Sequence, residues 1–229
     1  MNKQIQLETA IAKIPDGASI MIGGFGSPGT PFTLIEELLR QGQKNLTLIK
    51  NDANETGIGI SHLIENGQVD KLITTHIGLN RKAVELMNQG SLDVAFYPQG
   101  ILAEKIRVAG AGSFGFLSDI GLDTEITSPE SLLEWQGKTY KLETALNADF
   151  ALIHANRADS IGNLQYKASA MNFCPLMAMA AEHTIAEVRT IAVPGAIEQE
   201  AIHTSAAFVD DLVLVEALGK PYQLMEHHL

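Results

Sequence analysis

The sequence predicts an α/β fold: a mostly parallel open sheet covered by helices, with an irregular glycine-rich segment and a small β-hairpin. The main reason is that short apolar runs of strand length alternate with segments of helical apolar spacing along residues 5–108. The 229 residues include 45% hydrophobic residues, which is enough for a sizeable core. Because no linker, repeat or low-complexity stretch interrupts the pattern, we expect residues 1–229 to form a single domain.

The first half of the chain supplies most of the predicted parallel sheet. Apolar spacing predicts one helix within residues 5–14 and another over residues 31–40, which Gly42 ends. The remaining predicted elements are strands at Ile20–Ile22, Leu46–Lys50, Lys71–Thr75 and Leu92–Tyr97, and helical segments at Ile60–Ile64, Asn80–Asn88 (closed by Gly90) and Ile101–Val108. Ligands of such sheets bind beyond the carboxyl ends of the strands, so the segments that follow these strands are candidate site residues.

The second half is less regular. Residues 109–116 are too rich in glycine for regular structure and could cover a site. The dipeptide Gln136-Gly137 between Leu132–Trp135 and Thr139–Glu143 predicts a hairpin with a two-residue turn. Later elements are strands at Phe150–His154, Thr184–Val188 and Leu212–Glu216 and a helix at Leu176–Ala181, and the polar tail from Gly219 is expected to lie loosely.

One glycine-rich stretch, Asp16–Pro31, is the candidate centre of function. It reads as a turn, a short buried strand, a loop with four glycines within seven residues and the start of a helix. Glycines let a backbone approach a ligand where a Cβ would block it. Thr30 is predicted to cap the following helix with Pro31 as its first residue, which would leave backbone N–H groups for an anion or oxyanion.

Two neutral amides follow neighbouring predicted strands. Asn51 ends the second strand, and Gln99 lies in a Pro-Gln-Gly turn after the fourth. Such side chains can donate and accept hydrogen bonds without adding charge, although each can equally be an amide that only stabilises its loop.

The glycine loop has two functional interpretations. Gly24–Gly29 fits the G-x-G-x-x-G fingerprint of dinucleotide-binding enzymes, with Asp52 near the place of a ribose-binding acid. The longer string from Asp16 to Pro31 resembles the signature of the A (alpha) subunit of class one (3-oxoacid) coenzyme A-transferases, with every fixed position filled. Further matches cover nearly the whole chain: Asn51-Asp52, Pro98-Gln99-Gly100, Glu104–Arg107, Ala148–Leu152, Ala158-Asp159, Gly162-Asn163, Ser169-Ala170 and Asn172-Phe173.

The resemblance is greatest to the alpha subunits of acetate/acetoacetate transferases, with four departures. Ala109 stands where the family usually has Gly, Met171 where it has Arg, Cys174 where it has Asn, and Ser205-Ala206 where it has Pro-Gly. These departures concern acyl-group preference more than fold.

The resemblance implies a ping-pong transfer of coenzyme A between carboxylic acids through a glutamyl-CoA thioester. The reactive glutamate is expected on a separate B (beta) subunit, in an A2B2 assembly, so this chain has a supporting role and no catalytic nucleophile. Coenzyme A or acyl-CoA is expected as substrate, with no permanently bound cofactor. Asn51 and Gln99 are the supporting residues, and the coenzyme A site is expected to be lined by Gly23, Gly24, Phe25, Gly26, Ser27, Pro28, Gly29, Gly100, Gly110 and Gly112.

Two glutamates of this chain are candidates for the nucleophile but have simpler interpretations. Glu65 precedes Asn66-Gly67, which is typical of a helix-ending turn. Glu104 follows the Pro-Gln-Gly turn and is interpreted as a helix-face or inter-subunit charge.

Composition narrows the remaining function classes. A formal net charge of −11 makes nucleic acid an unfavourable partner, and no run of 18 apolar residues predicts a membrane span. The single Cys174, expected as a buried thiol, fits a cytoplasmic protein, and the seven histidines show no metal-ligand spacing. Two alternatives stay open: a dinucleotide-dependent oxidoreductase and a non-enzymatic metabolite-sensing domain.

Overall fold

The computed structural model describes residues 2–124 and 127–220 together with residues 222, 223 and 225. In chain order its helices and strands are α1 (Leu7–Ile11), β1 (Ser19–Ile22), α2 (Phe32–Gln41), β2 (Leu46–Ile49), α3 (Ile60–Glu65), β3 (Val69–Thr74), α4 (Arg81–Asn88), β4 (Asp93–Phe96), α5 (Gln99–Gly110), β5 (Gly115–Ser118), β6 (Leu132–Trp135), β7 (Lys138–Thr144), β8 (Ala148–Asp159), β9 (Leu164–Gln165), α6 (Cys174–Ala180), β10 (Ala181–Ala192) and β11 (Asp211–Leu214). None of the helices in this described part is both long and apolar enough to cross a membrane.

The main sheet confirms the predicted fold class. Seven strands follow the order β11-β10-β8-β1-β2-β3-β4, and every neighbouring pair on this path is parallel. The short strand β9 adds an antiparallel pairing to β8. Strand β1 lies between β2 and β8, where Ile20 is in register with both Leu48 and Phe150. The glycine loop therefore leaves the sheet at a central strand.

Helices cover both faces of this sheet because side chains alternate along each strand. Ile20 and Ile22 face one apolar cluster, in which helices α1 to α4 contribute residues such as Leu38. Met21 faces the opposite cluster, which contains Leu102 of α5 together with residues of α6. Both clusters are formed from fully or nearly fully buried side chains.

Local signals account for several helix ends. Gly42 adopts a left-handed conformation with φ of 80° after α2, and its N–H donates to the carbonyl of Leu38, as the sequence predicts. The Asn80 side chain caps α4 by accepting a hydrogen bond from the Ala83 N–H at 3.0 Å.

The second sheet contains more regular structure than the sequence predicts. The hairpin of β6 and β7 is confirmed, and its turn residues Gln136 and Gly137 have φ angles of 50° and 73°. Strand β5 adds a third antiparallel strand, so the expectation of irregular structure over 109–116 is wrong at both ends of that segment. Gly115 is required inside β5 because a Cβ there would overlap the Glu143 carbonyl oxygen.

Other element bounds also differ from the predictions. Helix α5 begins at Gln99, so the predicted Pro-Gln-Gly turn is the entrance and first turn of that helix. Strands β8 and β10 each have 12 residues, about twice the predicted length. The expectation of a loose tail from Gly219 is wrong for Tyr222, which is buried and stacks on Phe32 with ring centroids 4.3 Å apart. The rest of that tail lies partly outside the described residues.

Candidate active site

The glycine loop consists of residues 23–29 and connects β1 to α2 at the carboxyl edge of the sheet. Gly23, Gly24 and Gly29 are buried, whereas Phe25 is 49% exposed and the residues from Gly26 to Pro28 are partly exposed. The loop therefore has a buried base and an accessible tip.

Most of these glycines serve the protein's own packing rather than a ligand. A Cβ at Gly24, where φ is +104°, would overlap Thr30 Oγ1. A Cβ at Gly29 would lie 2.5 Å from the Ala170 carbonyl oxygen, and one at Gly23 would lie 2.7 Å from Cys174 Sγ. Gly26 alone among the four has no described atom within 4 Å of such a Cβ. At three of the four positions a side chain would therefore overlap the protein's own atoms, and the expectation that these glycines also line a ligand site stays a prediction.

Polar side chains hold both backbone groups of Gly26. Its N–H donates to Asp52 Oδ2 at 2.8 Å, and its carbonyl oxygen accepts from Thr30 Oγ1 at 2.6 Å and from Asn54 Nδ2 at 3.0 Å. The Phe25 N–H donates to the Pro28 carbonyl oxygen at 3.1 Å. Since the Phe25 N–H has a partner within the loop and the Gly26 N–H has one in Asp52, neither is available as an oxyanion donor, contrary to expectation.

The amino end of α2 is occupied by a buried carboxylate. Thr30 does not cap this helix, which begins at Phe32 with Pro31 as the flanking residue. Instead Glu187 of β10 accepts hydrogen bonds from the N–H groups of Thr33 and Leu34 at 3.0 and 3.1 Å. Glu187 also contacts His154 Nδ1 at 2.9 Å. The predicted anion site at this helix end is therefore filled by the protein itself.

The two amides singled out in the sequence contact each other. Gln99 Nε2 donates to Asn51 Oδ1 at 2.6 Å, and Asn51 Nδ2 donates to Asp52 Oδ2 at 3.1 Å. The strands that precede these amides, β2 and β4, are not neighbours as predicted, because β3 lies between them. Asn51 is fully buried behind the exposed Gln99. An amide at the surface is thus held by a second amide, which Asp52 links to the glycine loop.

A buried ion pair lies beneath the loop, and sequence reasoning did not identify it. Lys50 is completely buried, with Nζ 3.3 Å from the Gly24 carbonyl oxygen and 3.8 Å from Asp52 Oδ2. Burial lowers the pKa of Lys50, and the Asp52 carboxylate opposes that shift. Burial alone would raise the pKa of Asp52, but Lys50 and the Gly26 N–H more than offset it and hold the pKa below its usual value. The one signal for this pair was a lysine at the end of an apolar strand.

The pair also weakens the dinucleotide interpretation. Both Asp52 oxygens accept hydrogen bonds within the protein, because Oδ1 accepts from the Asn54 N–H at 2.8 Å while Oδ2 accepts from Gly26 and Asn51. Asp52 is therefore engaged where a ribose-binding acid would need free oxygens.

The lone cysteine is part of the packing under the loop, as the sequence predicts. Cys174 is buried, and its Sγ lies 3.6 Å from the carbonyl oxygens of Gly29 and Ala170. Burial raises the pKa of this thiol to about 11, so it is not an activated nucleophile.

Two surface depressions meet at Phe25. The first, with an empty volume of about 480 Å³, is lined by Phe25, Gly26, Ser27, Asp52, Ala53, Asn54, Glu55, Ile58, His76, Ile77 and Leu79. The second, of about 560 Å³, is lined by Phe25, Gln99, Gly100, Ala103, Asn172, Phe173 and Leu176. The exposed ring of Phe25 and the Gln99 amide thus border the same open space.

Several predicted residues lie elsewhere. Helix α5 begins beside this space and is about 18 Å long, so Gly110 at its end is far from the opening. Gly112 lines a different depression with Asn147, just before β8 begins. Within this chain, Gly110 and Gly112 do not line the space around Phe25.

The two glutamates considered as nucleophiles are also engaged elsewhere. Glu65 ends α3 just before β3, at the opposite edge of the sheet, and accepts from Ser61 Oγ at 2.6 Å. Glu104 forms an ion pair with Arg107 at 2.7 Å, and this hydrogen-bonded contact lowers the pKa of Glu104. Within the described part of the chain, no group of three or more His, Cys, Asp or Glu residues is placed to hold a metal ion.

Together these features define an α/β protein with an open parallel sheet and a half-open site at its carboxyl edge. The family profile described as Coenzyme A transferase matches residues 5–214. The chain therefore belongs to the coenzyme A transferase family, and transfer of coenzyme A is its reaction class.

Relatives of known name are similar over nearly the whole chain. The probable coenzyme A transferase subunit alpha of Bacillus subtilis (strain 168) is 46% identical over 217 residues, which cover 94% of this chain and 95% of the relative. The acetate CoA-transferase subunit alpha of Escherichia coli (strain K12) is 43% identical over 212 residues, with coverages of 93% and 96%. Relatives named as alpha subunits imply a second subunit.

Solved structures show the same fold. The acyl-CoA transferase YdiF from Escherichia coli O157:H7 superposes with a TM-score of 0.83 at 23% identity, over 96% of this chain and 48% of YdiF. A variant of the decarboxylase AibA/AibB superposes with a TM-score of 0.80 at 27% identity, over 94% of this chain and 84% of that chain. Because a transferase and a decarboxylase share this fold, the fold alone does not determine the substrate.

Proposed function

We propose that this chain is the alpha subunit of a heteromeric short-chain acyl or 3-oxoacid CoA-transferase. It moves coenzyme A between carboxylic acids by a ping-pong reaction whose nucleophilic glutamate belongs to a companion beta subunit. Two relatives support the subunit assignment. The Bacillus subtilis and Escherichia coli proteins are both named subunit alpha, and the similarity covers more than 90% of each.

The observation that carries this proposal is the state of the carboxylates at the opening. Asp52 is already engaged with the loop and Lys50. Glu55 is exposed on the rim, where water reaches its carboxylate, and it is hence poorly suited to the water-free chemistry of an acyl anhydride. The Gln99 amide is held by Asn51 at the same opening. The chain thus places a held amide at the opening but no carboxylate suited to act as the nucleophile.

In the proposed reaction the companion glutamate attacks the acyl-CoA carbonyl carbon, the thiolate of coenzyme A leaves, and a mixed anhydride forms. The thiolate then attacks the glutamyl carbonyl carbon, which releases the donor acid as a carboxylate and leaves a glutamyl-CoA thioester. The acceptor acid reverses the two steps. A carboxylate nucleophile suits this exchange because each intermediate keeps the reactivity of an activated acyl group.

Gln99 is the residue of this chain proposed to support the reaction directly. Among the described residues Gln99 Nε2 donates to Asn51 alone, so its second N–H can donate to the glutamate or to an oxyanion. Asn51 acts through Gln99 as a positioning residue. The glycine loop supplies shape and the ring of Phe25, and Gly100 lies beside it in the first turn of α5.

The test is co-expression of the chain with a companion subunit and measurement of acetyl-CoA-dependent transfer to butyrate. The complex is expected to be active and the isolated chain inactive. Gln99→Ala is expected to lower kcat about 100-fold, the typical effect of losing one oxyanion donor, with a smaller effect on KM. Gln89→Ala, on the exposed end of α4, is the matched control and should leave kcat unchanged.

Three results would contradict parts of the proposal. Full activity of the isolated chain would remove the need for a companion nucleophile. Loss of activity in Glu55→Gln would place the nucleophile in this chain. Saturable binding of a metabolite by the isolated chain, without turnover in any complex, would favour the metabolite-sensing alternative.

The assembly, compartment and domain organisation belong to the same proposal. We infer an A2B2 complex, to be measured by the mass of the co-purified assembly, and a cytoplasmic location, in keeping with a single cysteine that is a buried free thiol. We infer one domain over residues 1–229, since the apolar clusters on both faces of the main sheet share that sheet.

A further inference from the structure

The two depressions beside Phe25 have mostly apolar or neutral walls. On one side the wall includes Ile58, Ile77 and Leu79, and on the other it includes Ala103 and Leu176. Phe25 borders both. An acyl chain that enters either depression from the reacting carbonyl therefore meets mainly hydrocarbon and amide groups.

The charged side chains at these walls are mainly acids, and the nearby lysine is already paired within the protein. Among the described residues, no lysine or arginine lines either depression, and the acids on the first wall are Asp52 and Glu55. Lys50 lies beneath the loop, completely buried against the Gly24 carbonyl oxygen and Asp52. His76 is the lining side chain that can take a positive charge, and it lies on the exposed side of the first depression.

A second carboxylate on the substrate would be badly placed here. A carboxylate removed from water needs a cation or several N–H donors, and a like charge nearby adds repulsion. Relatives of this chain are named for both kinds of acid: acetate in one case, and succinyl-CoA or 3-oxoadipate in others. Membership of the family therefore leaves open whether the substrates of this chain carry a second carboxylate.

We propose that this site takes acyl groups with an uncharged tail, such as short monocarboxylic acids and 3-oxo monocarboxylic acids, and discriminates against dicarboxylic acids. This inference rests on the proposed function and names its substrate class. The discrimination comes from described walls that offer neither lysine nor arginine and from the negative charge of Glu55.

The test compares butyrate with succinate as acceptors for acetyl-CoA in the complex with the companion subunit. The two acids have four carbons each and differ by a methyl group in place of a carboxylate. In this comparison kcat/KM is expected to favour butyrate by about 100-fold. A ratio below 10, or a preference for succinate, would overturn the inference, and the latter would mean that the companion supplies a cation.

Two variants locate the discrimination in this chain. Leu79→Arg places a guanidinium on the rim of the first depression and should raise the succinate-to-butyrate ratio about tenfold. Glu55→Gln should raise the same ratio a few-fold, whereas Leu132→Arg, at an exposed leucine of the small sheet, should leave it unchanged. Circular dichroism checks that each variant is folded.

The outcomes separate the two proposals. Transfer to neither acid would overturn the proposed function itself. Equal transfer to both acids would leave that function standing and overturn only the charge selectivity. An unchanged ratio in Leu79→Arg, with butyrate still preferred in the parent, would show that the discriminating wall is not on this chain and would overturn the inference.

Discussion

The buried pair of Lys50 and Asp52 gives the sharpest prediction for stability. In Asp52→Asn the ammonium of Lys50 loses its carboxylate partner, and the acceptor for the Gly26 and Asn51 N–H groups becomes an amide. Removing one partner of a buried pair typically costs 3–5 kcal/mol. The separation of 3.8 Å is long for an ion pair, and Gly24 shares the ammonium, so we expect about 3 kcal/mol.

Urea unfolding followed by far-ultraviolet circular dichroism measures this loss. Lys50→Met removes the other partner, and the double variant closes a thermodynamic cycle. Because the double variant has no unpaired charge, it should be more stable than the sum of the single effects predicts, by about 2 kcal/mol. A loss below about 0.5 kcal/mol for Asp52→Asn, or simple additivity in the cycle, would refute the account of the pair.

The same pair predicts a pH dependence. The pKa of Asp52 is lower in the folded protein than its usual 3.8, so the folded state favours the ionised carboxylate. Its contribution is therefore fully present above about pH 3.8 and is lost as the pH falls through the lower, folded-state pKa. The stability difference between the parent and Asp52→Asn should be constant near pH 7 and narrow below pH 3.8. A difference that grows on acidification would reverse the sign of the argument.

Three further substitutions are tested by the same urea method. Gly24→Ala should destabilise by roughly 3 kcal/mol or more, because φ is +104° and the new Cβ overlaps Thr30; Gly57→Ala, with φ of +80° and open space, should cost less. Glu187→Gln should cost roughly 2–3 kcal/mol because two α2 N–H groups and His154 lose a buried carboxylate, whereas exposed Glu182→Gln should change stability by under about 0.5 kcal/mol. Tyr222→Ala should cost roughly 3 kcal/mol through the lost stack on Phe32, and Tyr222→Phe only about 1 kcal/mol through the lost bond to Gly59. Equal effects in a substitution and its control would contradict the assigned contact in each case.

The sheet could be predicted because its signals are local. Three-residue to six-residue apolar runs such as Ile20–Ile22 mark buried parallel strands, and Gly42 marks the end of α2. The lengths of β8 and β10 could not be predicted, because polar residues such as Asn156 and Arg189 interrupt the apolar pattern beyond the buried centre. Pairing with a neighbouring strand holds these outer parts in extended form, and that neighbour is distant in sequence.

The site could be predicted only in part for the same reason. Asn51, Gln99 and the loop were found because each follows a strand, and the structure brings them to one edge. Glu187 was not predicted as the cap of α2 because it is 153 residues from Leu34 in the sequence. No residue near Thr30 indicates that a distant carboxylate binds there. A helix start with a local Thr-Pro signal is therefore an incomplete guide when a distant strand places a carboxylate on the same N–H groups.

The structure changes the interpretation of the glycines in the glycine loop. A run of glycines suggests a flexible surface for a ligand, but here Gly23, Gly24 and Gly29 let the loop pack against Cys174, Thr30 and Ala170. Close packing at three positions and hydrogen bonds on both sides of Gly26 make the loop rigid rather than mobile.

That rigidity is connected to the proposed catalytic amide through Asp52. One carboxylate oxygen accepts from both Gly26 and Asn51, and Asn51 in turn accepts from Gln99. The loop and helix α5 are therefore linked through two adjacent residues that follow strand β2, Asp52 and Asn51. A companion subunit that brings a glutamate to this edge would meet the Gln99 amide already held in place, so little of its binding energy would be spent on ordering that amide.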